Sequence, residues 1–420
     1  MEPINLFLMD MSHAGNTSGV DRYMGTLLKG LRDCPFIRVY WIHLRHDPFI
    51  LFHSKEQTPS YTKITIPLPQ QFNEIIAQKF WINKYNEQVY RIIRYLFENK
   101  KDIIIHIHTL NLIDLAIFIR TKTGCKIITH LHCIPWKGLY NSNIQKFNEL
   151  FNLIYIKKEQ VADKDKFVTN HSEIQSYTDA NRIICVTHCA KDFLKNSIAI
   201  PSDKISVIPN GMGDFREKSE RTENRNSRIF QLLYVGVLSP SKGLKYILDA
   251  MRKVQQRGYR VSLAIAGKVS PLQAENIKAG NKDLSLNILD RIPFDKLKEY
   301  YARSDAGIIA SLQEQSSYVA IEMAMFGLPV ITTAVDGLDE MFTDNLNALK
   351  VDTCFSTIRG LSVNTQQMSE KIIALIEDRS LRIQLGQNAR QLYENKFTLE
   401  RMIKQTVEVY QKMTGGTGYA

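Results

Sequence analysis

Residues Ala306–Thr332 read AGIIASLQEQSSYVAIEMAMFGLPVIT. The first five, Ala306–Ala310, are small or β-branched and apolar, short enough for one buried strand. Tyr318–Phe326 carries apolar residues at helical spacing. Gly327 and Pro329 then close it, a helix stop followed by a residue that cannot continue one. Pro329–Thr332 is a second strand. Strand, helix and strand in that order form a βαβ unit, which requires parallel strands with the helix crossing one face of the sheet.

The same alternation extends in both directions. Downstream of a break, strands are expected at Ile229–Val235 and Arg260–Ala266, with helices at Leu244–Gln256 and Phe294–Ser304. Upstream, Ile4–Asp10, Ile37–Leu44, Asp102–His108, Cys125–His132, Arg182–Val186 and Lys204–Ile208 read as strands. Val20–Arg32, Asn83–Lys100 and Asn111–Lys122 read as helices between them. The break, residues 209–228, holds a Pro-Asn-Gly turn and then mostly charged and polar residues, a linker signal. The fold class is therefore α/β, with two Rossmann-like parallel-sheet halves. Such sheets bind ligands beyond the carboxyl ends of their strands, where strand order reverses.

At 420 residues, the chain is long enough for two or three domains. A 44% hydrophobic and 23% charged composition is globular. Six cysteines without a CxxC pair suit a reduced, cytoplasmic chain, and Cys185, His188 and Cys189 lack a second pair at zinc spacing. Ile4–Met9 has no basic leader and reads as a strand rather than a targeting segment. Ile103–Ile119 is interrupted by His106, His108, Asn111 and Asp114, so no membrane span is expected there. The net charge of +11 is compatible with nucleic acid, an anionic membrane surface or a phosphorylated substrate. Lys79 and Lys84 with Phe80, Trp81 and Tyr85 have helical spacing, which favours a packed face with solvated lysines over a nucleic-acid patch.

Glu314 and Glu322 bracket the start of the helix. Backbone N–H groups and the dipole of a helix N-terminus attract phosphate, and flanking carboxylates accept from hydroxyls. From spacing alone, two solvated acids explain the pair equally well.

The segment Glu314–Pro329 resembles the Glu-x7-Glu signature of retaining family 4 glycosyltransferases, which have the GT-B fold. Gly236–Gly243 (GVLSPSKG), Val207–Gly211 (VIPNG), Gly19–Tyr23 (GVDRY), His106-Ile-His108, His130-Leu-His132 and Gly337-Leu-Asp-Glu340 resemble further elements of that family, in its order. The resemblance implies an acceptor domain at 1–208, a donor domain at 209–395, and a segment, 396–420, that returns to the first domain as a helix with a mobile tail. It implies a nucleotide-sugar donor, a hydroxyl acceptor (glycan, lipid-linked glycan or peptide), no cofactor and no metal. Glu322 would accept from the ribose and Glu314 from the transferred sugar. Lys242, with the backbone of Ser316, Ser317 and Tyr318 and the turn at Gly236, would hold the diphosphate. His132 would face the sugar as a catalytic group beside Glu314 and Lys242. Gly19, His108 and Trp136 would line the acceptor side, with acceptor choice residing in residues 12–19 and 133–180. Retention without a nucleophile implies front-face transfer, in which the departing phosphate oxygen takes the acceptor's proton.

The chain departs from the family at three points. Val237 stands where an arginine is usual, Ser317 where glycine is frequent, and Gly213 where aspartate is frequent. The missing arginine keeps open a non-catalytic nucleotide-sugar or carbohydrate binder, and a nucleotide-sugar epimerase shares the overall fold. A dinucleotide oxidoreductase is disfavoured because no GxGxxG follows either first strand. The four histidines between 106 and 132 read as core or cleft residues rather than metal ligands. Peripheral attachment to anionic membrane at the cytoplasmic face is expected; nucleic acid is not.

Overall fold

The computed structural model describes residues 2–13, 19–69, 79–139, 143–159, 171–216, 229–356 and 360–415. Much of the expected linker, part of the acceptor segment 12–19, most of the polar stretch Asp163–Ser176 and the final five residues lie outside them. The chain forms two compact units. One runs to Pro209 and resumes at Leu399, and the other is Asn210–Thr398.

The first unit holds an eight-stranded sheet. Its strands are β1 (Ile4–His13), β2 (Ile37–His46), β3 (Ser54–Gln57), β4 (Tyr61–Pro67), β5 (Ile103–Ile107), β6 (Lys126–Leu131), β7 (Arg182–Cys185) and β8 (Ile205–Val207), in the order β3-β4-β2-β1-β5-β6-β7-β8. Every neighbouring pair is parallel except β3 with β4. Strand order reverses between β1 and β5. All five residues of β5, IIIHI, are buried, because helices cover a parallel sheet on both faces. On one face Phe7, Met9, Ile42, Ile105 and Ile127 belong to a core that includes Val89, Ile93 and Ile119.

The second unit holds β9 (Phe230–Val235), β10 (Val261–Ala266), β11 (Ser285–Leu289), β12 (Ala306–Ile309), β13 (Val330–Thr333) and β14 (Leu349–Val351), all parallel, in the order β11-β10-β9-β12-β13-β14. Strand order reverses between β9 and β12. The helix Leu244–Gln256 turns Ile247, Leu248, Met251 and Val254 inward at three- and four-residue spacing. Each such side chain contributes about 2 kcal/mol of burial. An antiparallel hairpin, β15 (Thr353–Ser356) with β16 (Gly360–Val363), is separate from this sheet.

Some elements escape the sequence reading. β3 and β4 extend the first sheet by two strands, although YTKITIP alternates half-buried and buried positions as an edge-proximal strand should. The expected helix Asn83–Lys100 begins earlier, at Lys79, and ends at Ile93 in a short tight turn, Arg94–Leu96. Its first-turn aromatics are a correction. Phe80 and Trp81 are exposed rather than packed, and only Tyr85 rests against the core.

The last helix, Leu399–Thr414, packs in the first unit against the helix Gly19–Leu31. The fit is close enough that a Cβ on Gly30 would sit 2.2 Å from Ile403 Cγ1. Among the described residues no helix is long and apolar enough to cross a membrane.

Candidate active site

In the second unit, the two loops that flank the reversal of strand order are joined backbone to backbone. The loop after β9 starts at Gly236, whose N–H donates to Ala266 O at 2.9 Å. A Cβ on Gly267 would lie 1.9 Å from Gly236 O, so only glycine allows these turns to meet. At the loop's far end Gly243 has φ +70°, and a Cβ there would lie 2.0 Å from Ala310 O. Leu312 N–H donates to Ser241 O at 2.8 Å, fixing the loop after β12 to the loop after β9.

Lys242 ends the tight turn Pro240–Lys242, and its Nζ donates to Glu314 Oε2 at 2.5 Å. The side chains are 29% and 15% exposed, so the pair is sheltered yet reachable. Lys242, which the resemblance assigns to the diphosphate, thus already holds a carboxylate. An ammonium has three N–H donors, and Glu314 takes one. Val237, at the position of the missing arginine, is exposed and supplies no charge.

Ser317 caps the helix Tyr318–Met325 by accepting from Ala320 N–H at 3.2 Å. The cap thus takes Ala320 N–H, which is not among the Ser316–Tyr318 donors that the resemblance assigns to phosphate. Glu322 lies within the helix, 1% exposed, and its Oε2 accepts from the Tyr301 hydroxyl at 2.7 Å. Tyr301 stacks on Phe326 with ring centres 5.2 Å apart. Sequence reasoning missed Tyr301, which sits in a helix that gave only a periodic signal.

It also gave Asn210 no role. Asn210 Nδ2 donates to Ser316 O at 3.1 Å, while its buried Oδ1 has no hydrogen-bond partner among the described residues. The helix Asp336–Met341, which opens the Gly-x-x-Glu element, reaches the same loop, with Gly337 N–H donating to Glu314 O at 2.8 Å.

In the first unit, four histidines gather where β5 and β6 end. His106 lies on β5 and His108 one residue beyond it, just as His130 lies on β6 and His132 one residue beyond it; the two-residue spacing puts each pair on one face. His108 Nδ1 and His132 Nε2 are 3.1 Å apart. His106 Nδ1 is 2.8 Å from the Tyr410 hydroxyl of the last helix, and its Nε2 is 3.3 Å from His130 Nδ1. Tyr23 closes the cluster, with its ring centre 4.5 Å from that of His130.

Burial, reinforced by neighbouring imidazoles, drives His106 down to about 3 and holds His108 and His130 well below the usual range; burial alone takes His132 to about 3. All four are neutral at pH 7. Ring nitrogens of His106, His108 and His130 lie within 4.8 Å of one another, a grouping compatible with a metal that the sequence reading set aside. The rings of His130 and His132 are stacked at 14°, and His106 has both nitrogens engaged.

The other acceptor-side candidates fare unequally. Gly19 begins the helix Gly19–Leu31, and a Cβ there would meet nothing within 4 Å. Trp136 is corrected: it is 1% exposed and packs in the core against Phe147, with ring centres 4.9 Å apart. A tryptophan flanked by Pro135 and Lys137 looks like a surface residue in sequence; its partners come from helices later in the chain.

Residues 17–213 match the family model described as Glycosyltransferase Family 4, and residues 215–392 match Glycosyl transferases group 1. The chain belongs to the GT-B glycosyltransferases. An uncharacterized glycosyltransferase of Methanocaldococcus jannaschii is 27% identical over 237 residues, 56% of this chain and 61% of that protein. The glycosyltransferase chain thus matches under two thirds of that relative's length. Sucrose-phosphate synthase from Thermosynechococcus elongatus superposes with a TM-score of 0.72 at 16% identity, covering 98% of this chain and 99% of that one. The Anabaena protein HepE, solved with UDP-glucose, gives 0.67 at 14%, covering 97% and 100%. These likenesses in structure establish the two-domain GT-B fold.

Proposed function

We propose that this glycosyltransferase moves a sugar, with retention and without metal, from a nucleoside-diphosphate sugar to a hydroxyl acceptor. The observation that carries the reading is the Lys242–Glu314 pair at the strand-order reversal of the second sheet, with Glu322 one turn into the adjoining helix. Brought together this way, the three groups offer a cation and two acceptors in the place where open parallel sheets take ligands.

In this reading the two remaining Lys242 N–H donors and the first turn of Tyr318–Met325 hold the diphosphate. Charge builds on that diphosphate as the glycosidic bond breaks, so a fixed cation and helix terminus stabilise the transition state more than the ground state. Glu314, held by Lys242 and by Gly337 N–H at its own carbonyl, accepts from the sugar's hydroxyls. Glu322, braced by Tyr301, accepts from the ribose. His132, neutral, hydrogen-bonds a sugar hydroxyl, and the leaving phosphate oxygen takes the acceptor's proton on the same face. The HepE complex with UDP-glucose supports a UDP-sugar as the first donor to try.

A panel of nucleoside-diphosphate sugars, with and without acceptor extracts, tests this by released nucleoside diphosphate and by anomeric configuration of the product. Turnover of donor to an isomer with no acceptor present would replace it with an epimerase. Binding without turnover for every donor would leave a carbohydrate-binding protein.

Peripheral attachment to an anionic cytoplasmic membrane is the second part of the proposal. In the β2–β3 connection Phe49, Leu51 and Phe52 are 90%, 75% and 81% exposed. Three large apolar side chains on one short loop suit insertion at a lipid interface.

A further inference from the structure

The proposed transfer uses no nucleophilic side chain, yet the first sheet contains one in activated geometry. Asp10 and Ser12 alternate on β1 and share a face with His43, which stands opposite Asp10 in register on β2. His43 Nδ1 is 2.7 Å from Asp10 Oδ1, and His43 Nε2 is 3.0 Å from Ser12 Oγ. Asp10 is 1% exposed and is held by a second donor, Trp41 Nε1–H, at 2.7 Å from the same oxygen.

Proton positions follow from the chemistry. A carboxylate only accepts, so His43 Nδ1 carries the hydrogen. In a neutral imidazole Nε2 is then the acceptor, and the Ser12 hydroxyl must donate to it. This is the tautomer a general base needs to take a serine proton. Ser12 itself is half-buried rather than sealed in the core.

A candidate donor for developing negative charge lies on the neighbouring strand. Arg45 is opposite Ser12 in register on β2, hence on the same face. Its guanidinium pairs with Asp47 through Nη2 at 3.2 Å, while its buried Nε has no hydrogen-bond partner among the described residues. A buried N–H left without an acceptor costs about 1–3 kcal/mol, a cost that an oxyanion at this position would relieve.

We propose that Ser12, His43 and Asp10 form a second reactive centre that attacks carboxylic esters, with Arg45 as its oxyanion donor. Ser12 Oγ bonds to the carbonyl carbon as its proton passes to His43 Nε2. The tetrahedral oxyanion collapses, the C–O bond to the leaving alcohol breaks, and His43 returns the proton to that alcohol. Water then adds to the acyl-serine, giving its proton to His43. The carboxylic acid departs, and Ser12 recovers its proton. Asp10 is a positioning residue that fixes the His43 tautomer.

A fluorophosphonate probe tests this on the whole chain, because it forms a stable adduct only with an activated serine and loses fluoride in doing so. One adduct, mapped to Ser12 by mass spectrometry and absent in Ser12→Ala, is the expected result. His43→Ala should slow labelling by about 100-fold or more, the scale of general-base assistance. Asp10→Asn should slow it too and move the 15N signature of His43 from the Nδ1–H to the Nε2–H tautomer, which a merely structural role would not do. Ser12→Cys offers a second measure: its thiol should react with iodoacetamide faster than that of the exposed Cys133. No adduct above the Ser12→Ala level, or labelling indifferent to His43→Ala, would overturn the proposal. Nucleotide-sugar turnover does not enter either readout, so the result is independent of the transfer reaction.

Discussion

Lys242 Nζ and Glu314 Oε2 lie 2.5 Å apart, although 72 residues separate them in the chain. The pair exists because Gly243 lets one loop lie against the backbone of the other at Ala310. Its charge is nearly balanced within itself, so a diphosphate arriving there meets an ammonium already oriented by a carboxylate.

Lys242→Met should lower donor turnover by about 100- to 1,000-fold, the range seen when one fixed donor to developing charge is removed. Glu314→Gln keeps the shape and leaves the ammonium unbalanced. It should weaken transfer while preserving or tightening the affinity for nucleoside diphosphate. Calorimetric titration with nucleoside diphosphate beside steady-state assays separates the two effects. Equal loss of diphosphate affinity in both variants would refute the division of labour.

Glu322→Ala should abolish turnover in a protein that remains folded. Tyr301→Phe removes only the buried donor to Glu322 Oε2, and should cost about 1–3 kcal/mol in thermal stability or donor binding. Full activity of Glu322→Ala would remove the carboxylate from the site.

Gly243→Ala places a Cβ against Ala310 O at a positive φ, and both penalties act together. The melting temperature of the variant should fall by several degrees, at about 2–4 °C per kcal/mol for a domain of this size. Because the loop carries Lys242, donor affinity should fall with it. A variant as stable as the parent would show that the two loops yield more readily than their contact implies.

Acid should destabilise the first unit through its histidines. Unfolded histidine titrates near 6.5, whereas buried His106 does so at about 3. Between those values the unfolded chain binds a proton that the folded one refuses. The stabilisation is therefore complete above about pH 6.5 and is lost as pH falls towards 3. From pH 7 to pH 5, His106 alone accounts for about 2 kcal/mol. Denaturant melts at both values, with and without His106→Gln, measure this. An unchanged pH slope in the variant would contradict it.

Phe49→Ser with Phe52→Ser should reduce sedimentation with anionic vesicles while leaving turnover of a water-soluble donor intact. High salt should also weaken binding, since surface charge acts over about 10 Å or less at such ionic strength. No sedimentation of the parent protein at low salt would dispose of membrane attachment.

The α/β repeat was legible because its buried strands are short apolar runs and its helices keep a strong period. Leu244–Gln256 is found at its sequence-derived bounds for that reason. β3 was not legible: Ser54–Gln57 is exposed and polar, and only pairing with β4 makes it a strand. Glu314, Glu322 and Lys242 stood out through the family resemblance, spacing alone leaving the two acids unexplained, but their partners did not stand out at all. Tyr301 is one aromatic in an ordinary amphipathic helix, and Trp136 was misplaced because packing partners distant in sequence leave no local trace. Ser12, His43 and Asp10 follow no spacing rule either; the register between β1 and β2 alone brings them together.

The second unit is bounded by adjacent ends. Met212 N–H donates to Phe397 O at 3.0 Å, and Met212 bridges Thr398. It is therefore an insertion, a continuous piece whose two ends are tied at one point. The first unit is the interrupted one, and the helix that brings Tyr410 to His106 is translated after the whole insertion. On a ribosome adding about 5–20 residues per second, the second unit can finish folding while the first still lacks a wall. Asn210–Thr398, continuous in sequence and tied at its two ends, is thus the part to express alone, whereas the first unit needs both of its pieces.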